Sequence, residues 1–332
     1  MANLCTSASS EMGADASEER SAMWRLAALV VAAAITSLGL LVIGGPAQAT
    51  FPARNGLIAF QADKGSGGDG EIYTIKADGT HLRRLTHVKG EAINPDWSPD
   101  GSQIAFALNE CSVAIINADG TNLTVLPSET PGGCEGDPSF TPDGSRLVYL
   151  RFDPATDDEA VWSMNLDGSD RRRITAPDVG APDPNVSPDG GTVSFLGANA
   201  KGINALFTAS LDGSNVFRVT PYLGVAFKQD WAPDGRHIVI ATNADYLHHK
   251  PPNVATVRPD GSHLRMLTHY TGGEKGAYAG SYSPNGRWIV FRVENLERES
   301  FRLFRMHPDG THRKLIRKFP FASRNSDWGA RP

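Results

Sequence analysis

The chain has 332 residues, 40% of them hydrophobic, and a formal net charge of −5. That is long enough to bury a sizeable core and ordinary for a soluble globular protein. It carries no cationic surplus, so nothing in the balance points to nucleic acid.

Residues 1–22 are polar, small and acidic, and Trp24-Arg25 then leads into an apolar run that begins at Leu26 and ends at Ile43. Gly44-Gly45-Pro46 and Ala47-Gln48-Ala49 follow. One basic residue, an apolar stretch and a small-x-small site predict a secretory signal cleaved after Ala49. The domain plan is therefore a signal with a polar leader over 1–49, with Met23 as an alternative start, and a single domain over 50–332. Retained instead, the run of 18 residues is just long enough for a membrane anchor. That alternative would make the chain an anchored sensor ectodomain, and it is the only route by which a membrane enters. No Cys follows the run closely, so a lipoprotein anchor is unsupported. Cleavage leaves a net charge of about −3, because Arg20, Arg25, Glu11, Asp15, Glu18 and Glu19 are lost.

Past Ala49 two phrases alternate. The first is Trp97-Ser98-Pro99-Asp100-Gly101, which returns as Phe140-Thr141-Pro142-Asp143-Gly144 and Val186-Ser187-Pro188-Asp189-Gly190. It returns again as Trp231-Ala232-Pro233-Asp234-Gly235 and Tyr282-Ser283-Pro284-Asn285-Gly286. Each copy precedes a short β-branched or aromatic run, so each predicts a hairpin: proline sets one backbone angle, Asp or Asn closes the turn, and glycine takes the positive φ. The second phrase is an Asp-Gly hairpin at Asp78, Asp119, Asp167, Asp212, Asp260 and Asp309. Its spacing runs from 41 residues (Asp78 to Asp119) to 49 (Asp260 to Asp309). Four short strands per unit at that period are the signature of a propeller.

The array opens on Ala53-Arg54-Asn55-Gly56 and Leu57-Ile58-Ala59-Phe60 without an aromatic-Ser strand before it. The missing piece is Ser326-Asp327-Trp328-Gly329 at the far end. The C-terminal strand is thus predicted to be the innermost strand of blade one, closing the ring and leaving no open blade. The pattern resembles the TolB-type six-bladed β-propeller over about residues 50–332. Two departures, Val186 for the aromatic in blade four and Asn285 for Asp in blade six, keep the turn physics. The resemblance implies an all-β, single-domain propeller of the cell envelope with a protein or peptidoglycan-associated partner.

The Pro-Asp-Gly and Asp-Gly turns are all tight and define one face, expected to be compact. The long connections, 63–70, 127–136, 153–159, 242–253 and 270–278, fall on the opposite face. Long loops on a rigid scaffold are where binding resides. Cys111 and Cys134 lie in two loops of that face, and an exported chain with two remaining cysteines predicts a disulfide between them.

Charged residues gather where the inner strands start, at the channel mouth: Asp96, Asp137, Asp183, Lys228, Asp230 and Asp327, with Asn94, Asn185 and Asn325 beside them. Such a ring can bind a cation, a sugar or a peptide amine. Equally, Asp96, Asp230 and Asp327 recur with the repeat, each just before a Trp, which suits carboxylates that bond backbone and hold blades together. Lys228 breaks the repeat and is the stronger functional candidate. His87, His248, His249 and His269 fall in long-face loops and are weak candidates for a transition metal. Their spacing fits no compact metal motif, and His87 and His269 simply follow a recurring Leu-Thr pair. No cofactor is predicted, with calcium or a transition metal kept as alternatives. Arg171-Arg172-Arg173 and the basic stretch 312–318 fall on outermost strands, where charge protects a sheet edge. No G-x-S-x-G elbow is present. The expected function is an extracytoplasmic binding or scaffold protein for a protein, peptide or glycan. A carbohydrate lyase or hydrolase working at the channel mouth is the alternative.

Overall fold

The computed structural model describes residues 53–63, 70–129, 132–176, 182–242, 251–271, 275–295 and 300–332. The expected signal and its cleavage site lie outside them, as do His248 and His249. Blade one takes β1 (Asn55–Asp63), β2 (Gly70–Ile75) and β3 (Arg83–Arg84) from the start of the domain. Blade two is β4 (Ala92–Trp97), β5 (Gln103–Leu108), β6 (Ser112–Asn117) and β7 (Thr124–Val125). Blade three is β8 (Cys134–Phe140), β9 (Arg146–Asp153), β10 (Asp158–Asn165) and β11 (Arg172–Arg173). Blade four is β12 (Asn185–Val186), β13 (Thr192–Ala198), β14 (Asn204–Ser210) and β15 (Phe217–Arg218). Blade five is β16 (Val225–Trp231), β17 (Ile238–Thr242), β18 (Asn253–Val257) and β19 (Arg265–Met266). Blade six is β20 (Lys275–Tyr282), β21 (Ile289–Asn295), β22 (Ser300–Met306) and β23 (Lys314–Phe319). The last strand, β24 (Ser323–Ala330), returns to blade one and pairs with β1, setting Trp328 opposite Ile58 and Asp327 opposite Ala59. All six sheets are four-stranded, and the ring closes as the sequence predicts.

The repeated phrases fold as their chemistry dictates. In blade two Gly101 N–H donates to Ser98 O at 2.8 Å, Ser98 Oγ to Asp100 at 2.6 Å, and Gln103 N–H to Ser98 Oγ at 2.9 Å. The same closure recurs at Thr141-Asp143, Ser187-Asp189 and Ser283-Asn285. Ala232 lacks the hydroxyl, and its turn keeps only the backbone bonds and the Asp234 acceptor. The aliphatic-Thr strand end (Leu85-Thr86, Ile174-Thr175, Val219-Thr220, Leu267-Thr268) has a role of its own. Thr86, Thr175, Thr220 and Thr268 each accept the N–H of the third strand, at 2.9–3.0 Å, where the two-residue outer strand ends.

The apolar residues form six clusters among the described residues, and each lies between two neighbouring blades. The interface of blades one and two packs Ala59, Ile72 and Leu85 against Trp97, Ile104 and Phe106. The closing interface packs Ile58, Phe60 and Trp328 against Val290, Leu303 and Phe319. The core is therefore a ring of blade-to-blade contacts in which each blade needs both neighbours.

Cys111 and Cys134 are bonded, as expected, joining the β5–β6 turn of blade two to the first residue of β8 in blade three. The bridge closes a loop of 23 residues. A loop of that size lowers the entropy of the unfolded chain enough to stabilise by about 3 kcal/mol.

Two outcomes are expected. Deleting 326–332 removes most of β24, including Trp328, which is 4% exposed. Burying a Trp of this kind contributes about 3–5 kcal/mol, so the deletion should lower the thermal midpoint of the whole ring; an unchanged melting curve contradicts the closure. Reducing the protein, or changing Cys111→Ala with Cys134→Ala, should lower the midpoint while leaving the circular dichroism of the fold intact, and an unmoved midpoint contradicts the stabilising role.

Candidate functional site

The inner strands meet the propeller axis with two layers of polar side chains. The first layer comes from the residue just before each repeat aromatic. Asp96 accepts the N–H of Phe140 at 2.8 Å, Asp230 that of Tyr282 at 2.7 Å, and Asp327 that of Trp97 at 2.8 Å. Blade six has Ser281 there, and its hydroxyl accepts the N–H of Trp328 at 2.7 Å. Sequence reasoning missed Ser281, although it stands one residue before Tyr282 as Asp96 stands before Trp97.

The second layer lies three residues ahead of the aromatic position. Asn94, Asp137, Asp183, Lys228 and Asn325 all adopt positive φ, between 45° and 69°. The inner strands shift register here, between Ile93 and Asp96, between Gly136 and Ser139, and between Ala226 and Asp230. Asn and Asp tolerate the left-handed region, which explains their recurrence. Asn325 donates its amide to Asn94, and Asn94 donates to Asp137. Asp137 accepts the N–H of Asp183 at 3.2 Å, and Asp183 accepts those of Lys228 and Gln229 at 2.6 and 3.1 Å. With the first layer, every one of the six blade interfaces is crossed by an inner-strand side chain accepting a backbone N–H of the next blade.

Lys228 holds φ at 69°, which costs a non-glycine residue about 1–2 kcal/mol. Its side chain is buried and crosses the axis, with Nζ 3.3 Å from the carbonyl of Pro95 and 3.9 Å from Asp96. Burial opposes its charge, yet Asp327, Asp96, Asp183 and Asp230 hold the ammonium pKa above its ordinary value. The carboxyls shift in the opposite sense to most paired acids. Burial, with Asp327 close by, pushes Asp96 up to about 7, and burial with Asp137 close by does the same for Asp183. Burial and Asp327 carry Asp230 well above the usual carboxylate range, and burial raises Asp137. One ammonium thus serves an excess of carboxyls, and protons make up part of the difference.

Around Lys228 the axis divides. Toward the long-loop side, Asn94, Asp137, Asp183 and Asn185 line a space of only about 10 Å³. Toward the Pro-Asp-Gly side the axis opens into a funnel of about 150 Å³. Its floor is Asp96, Asp230 and Asp327, and its wall is Trp97, Phe140, Val186, Trp231, Tyr282 and Trp328. Pro99, Pro142, Pro188, Pro233 and Pro284 of the repeat turns form its rim. The compact face expected from the sequence is therefore hollow at its centre. Its turns are too short to fold over the axis, so the mouth stays open. Asp230 and Asp327 keep part of their surface open, whereas Asp96 is 7% exposed.

The other sequence candidates fall apart in space. His87 on blade one and His269 on blade five are exposed at strand ends. Among the described residues, no three His, Cys, Asp or Glu side chains converge as a metal site. Arg171 pairs with Glu135 at 2.7 Å, and Arg173 grips Asp158 with two bonds of 2.6 and 2.7 Å. Arg171 also donates to the Pro127 carbonyl in the connection from blade two, and Arg172 pairs with Asp170 at 2.8 Å while staying exposed.

A closed six-bladed β-propeller with an acidic axis is the class that the fold and channel define. The family model for the TolB beta propeller domain matches residues 110–331, and the chain belongs to that family. The Tol-Pal system protein TolB of Francisella tularensis subsp. mediasiatica is 28% identical, the match covering 46% of this chain and 46% of that protein. The chain thus spans about half the length of the curated relatives it matches. TolB from Acinetobacter baumannii superposes with a TM-score of 0.68 at 19% identity, over 82% of this chain and 66% of that one. The putative TolB from Agrobacterium tumefaciens gives 0.64 at 17%, over 81% and 92%. At these identities the structural likeness is one of fold.

The raised carboxyl pKa values fix a pH dependence. A native chain that holds protons the unfolded chain releases is favoured in full below about pH 4. That contribution is lost as pH rises through about 7. Turn acids shift the other way: Asp78, held down by its hydrogen bonds with Thr80, loses its contribution in acid. The thermal midpoint should therefore peak near about pH 5 and fall toward pH 8. Asp96→Asn with Asp183→Asn keeps an acceptor oxygen and should flatten that fall; an unaltered slope contradicts the assignment. Lys228→Met should destabilise more at pH 8, by about 3–5 kcal/mol for a broken buried pair, than at pH 5.5, where protons replace the ammonium. Equal losses at both pH values contradict its role as counterion.

Proposed function

We propose that the chain is an extracytoplasmic binding module that takes a cell-envelope protein partner at the axial funnel on its Pro-Asp-Gly face. The observation that carries this reading is the funnel, because all six blades contribute to its lining. A rigid concave site with an apolar wall and a few polar groups at its base is the usual form of a recognition pocket. Likeness to Tol-Pal system proteins supports a partner in the envelope, as an inference from family. Export, cleavage after Ala49 and a mature domain over 50–332 belong to the same reading.

One observation favours a second site. Phe227, next to Lys228 on β16, is 51% exposed, and an exposed aromatic at the long-loop mouth is a typical contact residue. The two sites separate by capture from envelope extract. Pro142→Arg with Pro188→Arg should fill the funnel rim and abolish capture, while Phe227→Asp should leave it intact. The reverse result moves the site to the long-loop face. N-terminal sequencing of the exported protein should begin at Thr50; an intact segment 26–43 in the membrane fraction would replace the secreted module with the anchored ectodomain.

A further inference from the structure

We infer that the funnel is a receptor for one cationic side chain, a lysine or arginine that the partner protein inserts between the aromatic wall and the carboxylate floor. This rests on the funnel being the binding site and specifies what enters it. Three features of the cavity converge on a cation. The floor holds Asp96, Asp230 and Asp327, and none of the described residues lining the cavity is a lysine, arginine or histidine. The wall supplies Trp97, Phe140, Trp231, Tyr282 and Trp328, whose ring faces attract ammonium and guanidinium groups. The space, about 150 Å³, is that of about five waters, enough for one long side chain and too small for a helix or a folded strand pair.

The charge balance makes the same selection. Lys228 approaches from beneath the floor, reaching Asp96 at 3.9 Å, and does not line the funnel. Of the three floor carboxyls Asp230 and Asp327 keep surface open, and each spends one oxygen on a blade-crossing N–H while the other has no hydrogen bond among the described residues. A carboxylate or phosphate from a partner would meet three acids whose one cation, Lys228, lies beneath them and outside the lining. A neutral apolar side chain would find the wall but leave the floor uncompensated. An incoming cation relieves the mutual repulsion of the three floor carboxyls, and so it favours the charged forms of Asp96 and Asp230, which burial and their neighbours raise. The titratable groups that face these carboxyls are one another, Lys228, and, for Asp230, Tyr282, with the Ser139 hydroxyl beside Asp96. Binding should accordingly tighten as pH rises from about 5.5 to about 8.

The test uses the protein exported from the full chain and three capped peptides, acetyl-Gly-Gly-X-Gly-Gly-amide, with X lysine, arginine or norleucine, read by tryptophan fluorescence and by calorimetry. The lysine or arginine peptide should bind about tenfold more tightly than the norleucine peptide, more tightly at pH 8 than at pH 5.5. Asp230→Asn, which keeps an acceptor for Tyr282, should remove that preference. Equal affinity for norleucine, sensitive to Pro142→Arg, would leave the funnel as the site and overturn the cation. Cation-selective binding that Pro142→Arg with Pro188→Arg does not weaken would overturn the funnel itself. Absence of binding by all three peptides at millimolar concentration overturns the inference, and so does a calcium ion that binds the unmodified protein stoichiometrically and is not displaced by the lysine peptide.

Discussion

The structure depends on one bond type, repeated around the axis: an inner-strand oxygen accepts the backbone N–H of the next blade. Asp96, Asp183, Asp230, Asp327 and Ser281 make the shortest of these, between 2.6 and 2.8 Å. A bond of this kind is worth little in water and much more where water is excluded. It also fixes the angle at which each blade meets its neighbour, because an inner strand has no freedom once both its carboxylate and its amide are engaged. The six apolar interfaces then pack outward from a hub already set in register. Closing that hub requires Asp327 and Trp328, the last acid and the last aromatic of the chain, which is why the C-terminal strand must return to blade one.

Concentrating carboxylates on one axis creates the problem that Lys228 resolves. Its ammonium reaches a carbonyl 133 residues away in sequence, so a single side chain joins opposite sides of the ring. The solution is incomplete, since burial and neighbouring carboxyls still push Asp96 and Asp183 up to about 7 and carry Asp230 well above the usual carboxylate range. That residual demand for positive charge extends to the funnel floor, where Asp230 and Asp327 keep part of their surface open. On the proposed reading, the same residues that hold the blades would also set what the open end of the axis accepts.

Most of the fold was legible because propeller physics is local. A Pro-Asp-Gly turn, an Asp-Gly turn and an aliphatic-Thr strand end each have a cause within a few residues, and their spacing counts the blades. The closing strand was legible by subtraction, since 326–329 completes the pattern that begins at Ala53. The site was legible only in part. The repeat marked Asp96, Asp230 and Asp327, and departure from it marked Lys228, but the reach of Lys228 to Pro95 is a property of the assembled ring. Ser281 went unseen because a hydroxyl replaces a carboxylate while making the same bond. The funnel went unseen because turn chemistry says how a strand reverses and not what six reversals leave between them. His87 and His269 are exposed at equivalent strand ends of blades one and five, in keeping with the recurring strand end that the repeat places there.

The account stands on the blade-crossing bonds, and amide hydrogen exchange addresses them one by one. The N–H groups of Trp97, Phe140, Lys228, Tyr282 and Trp328, which donate to side chains rather than to a β-ladder partner, should be among the last in the protein to exchange, and should do so together through global unfolding. Exchange of these amides as early as those of the two-residue outer strands, Arg84, Val125 and Arg218 among them, would mean that the axis does not hold the ring, and the hub described here would be wrong.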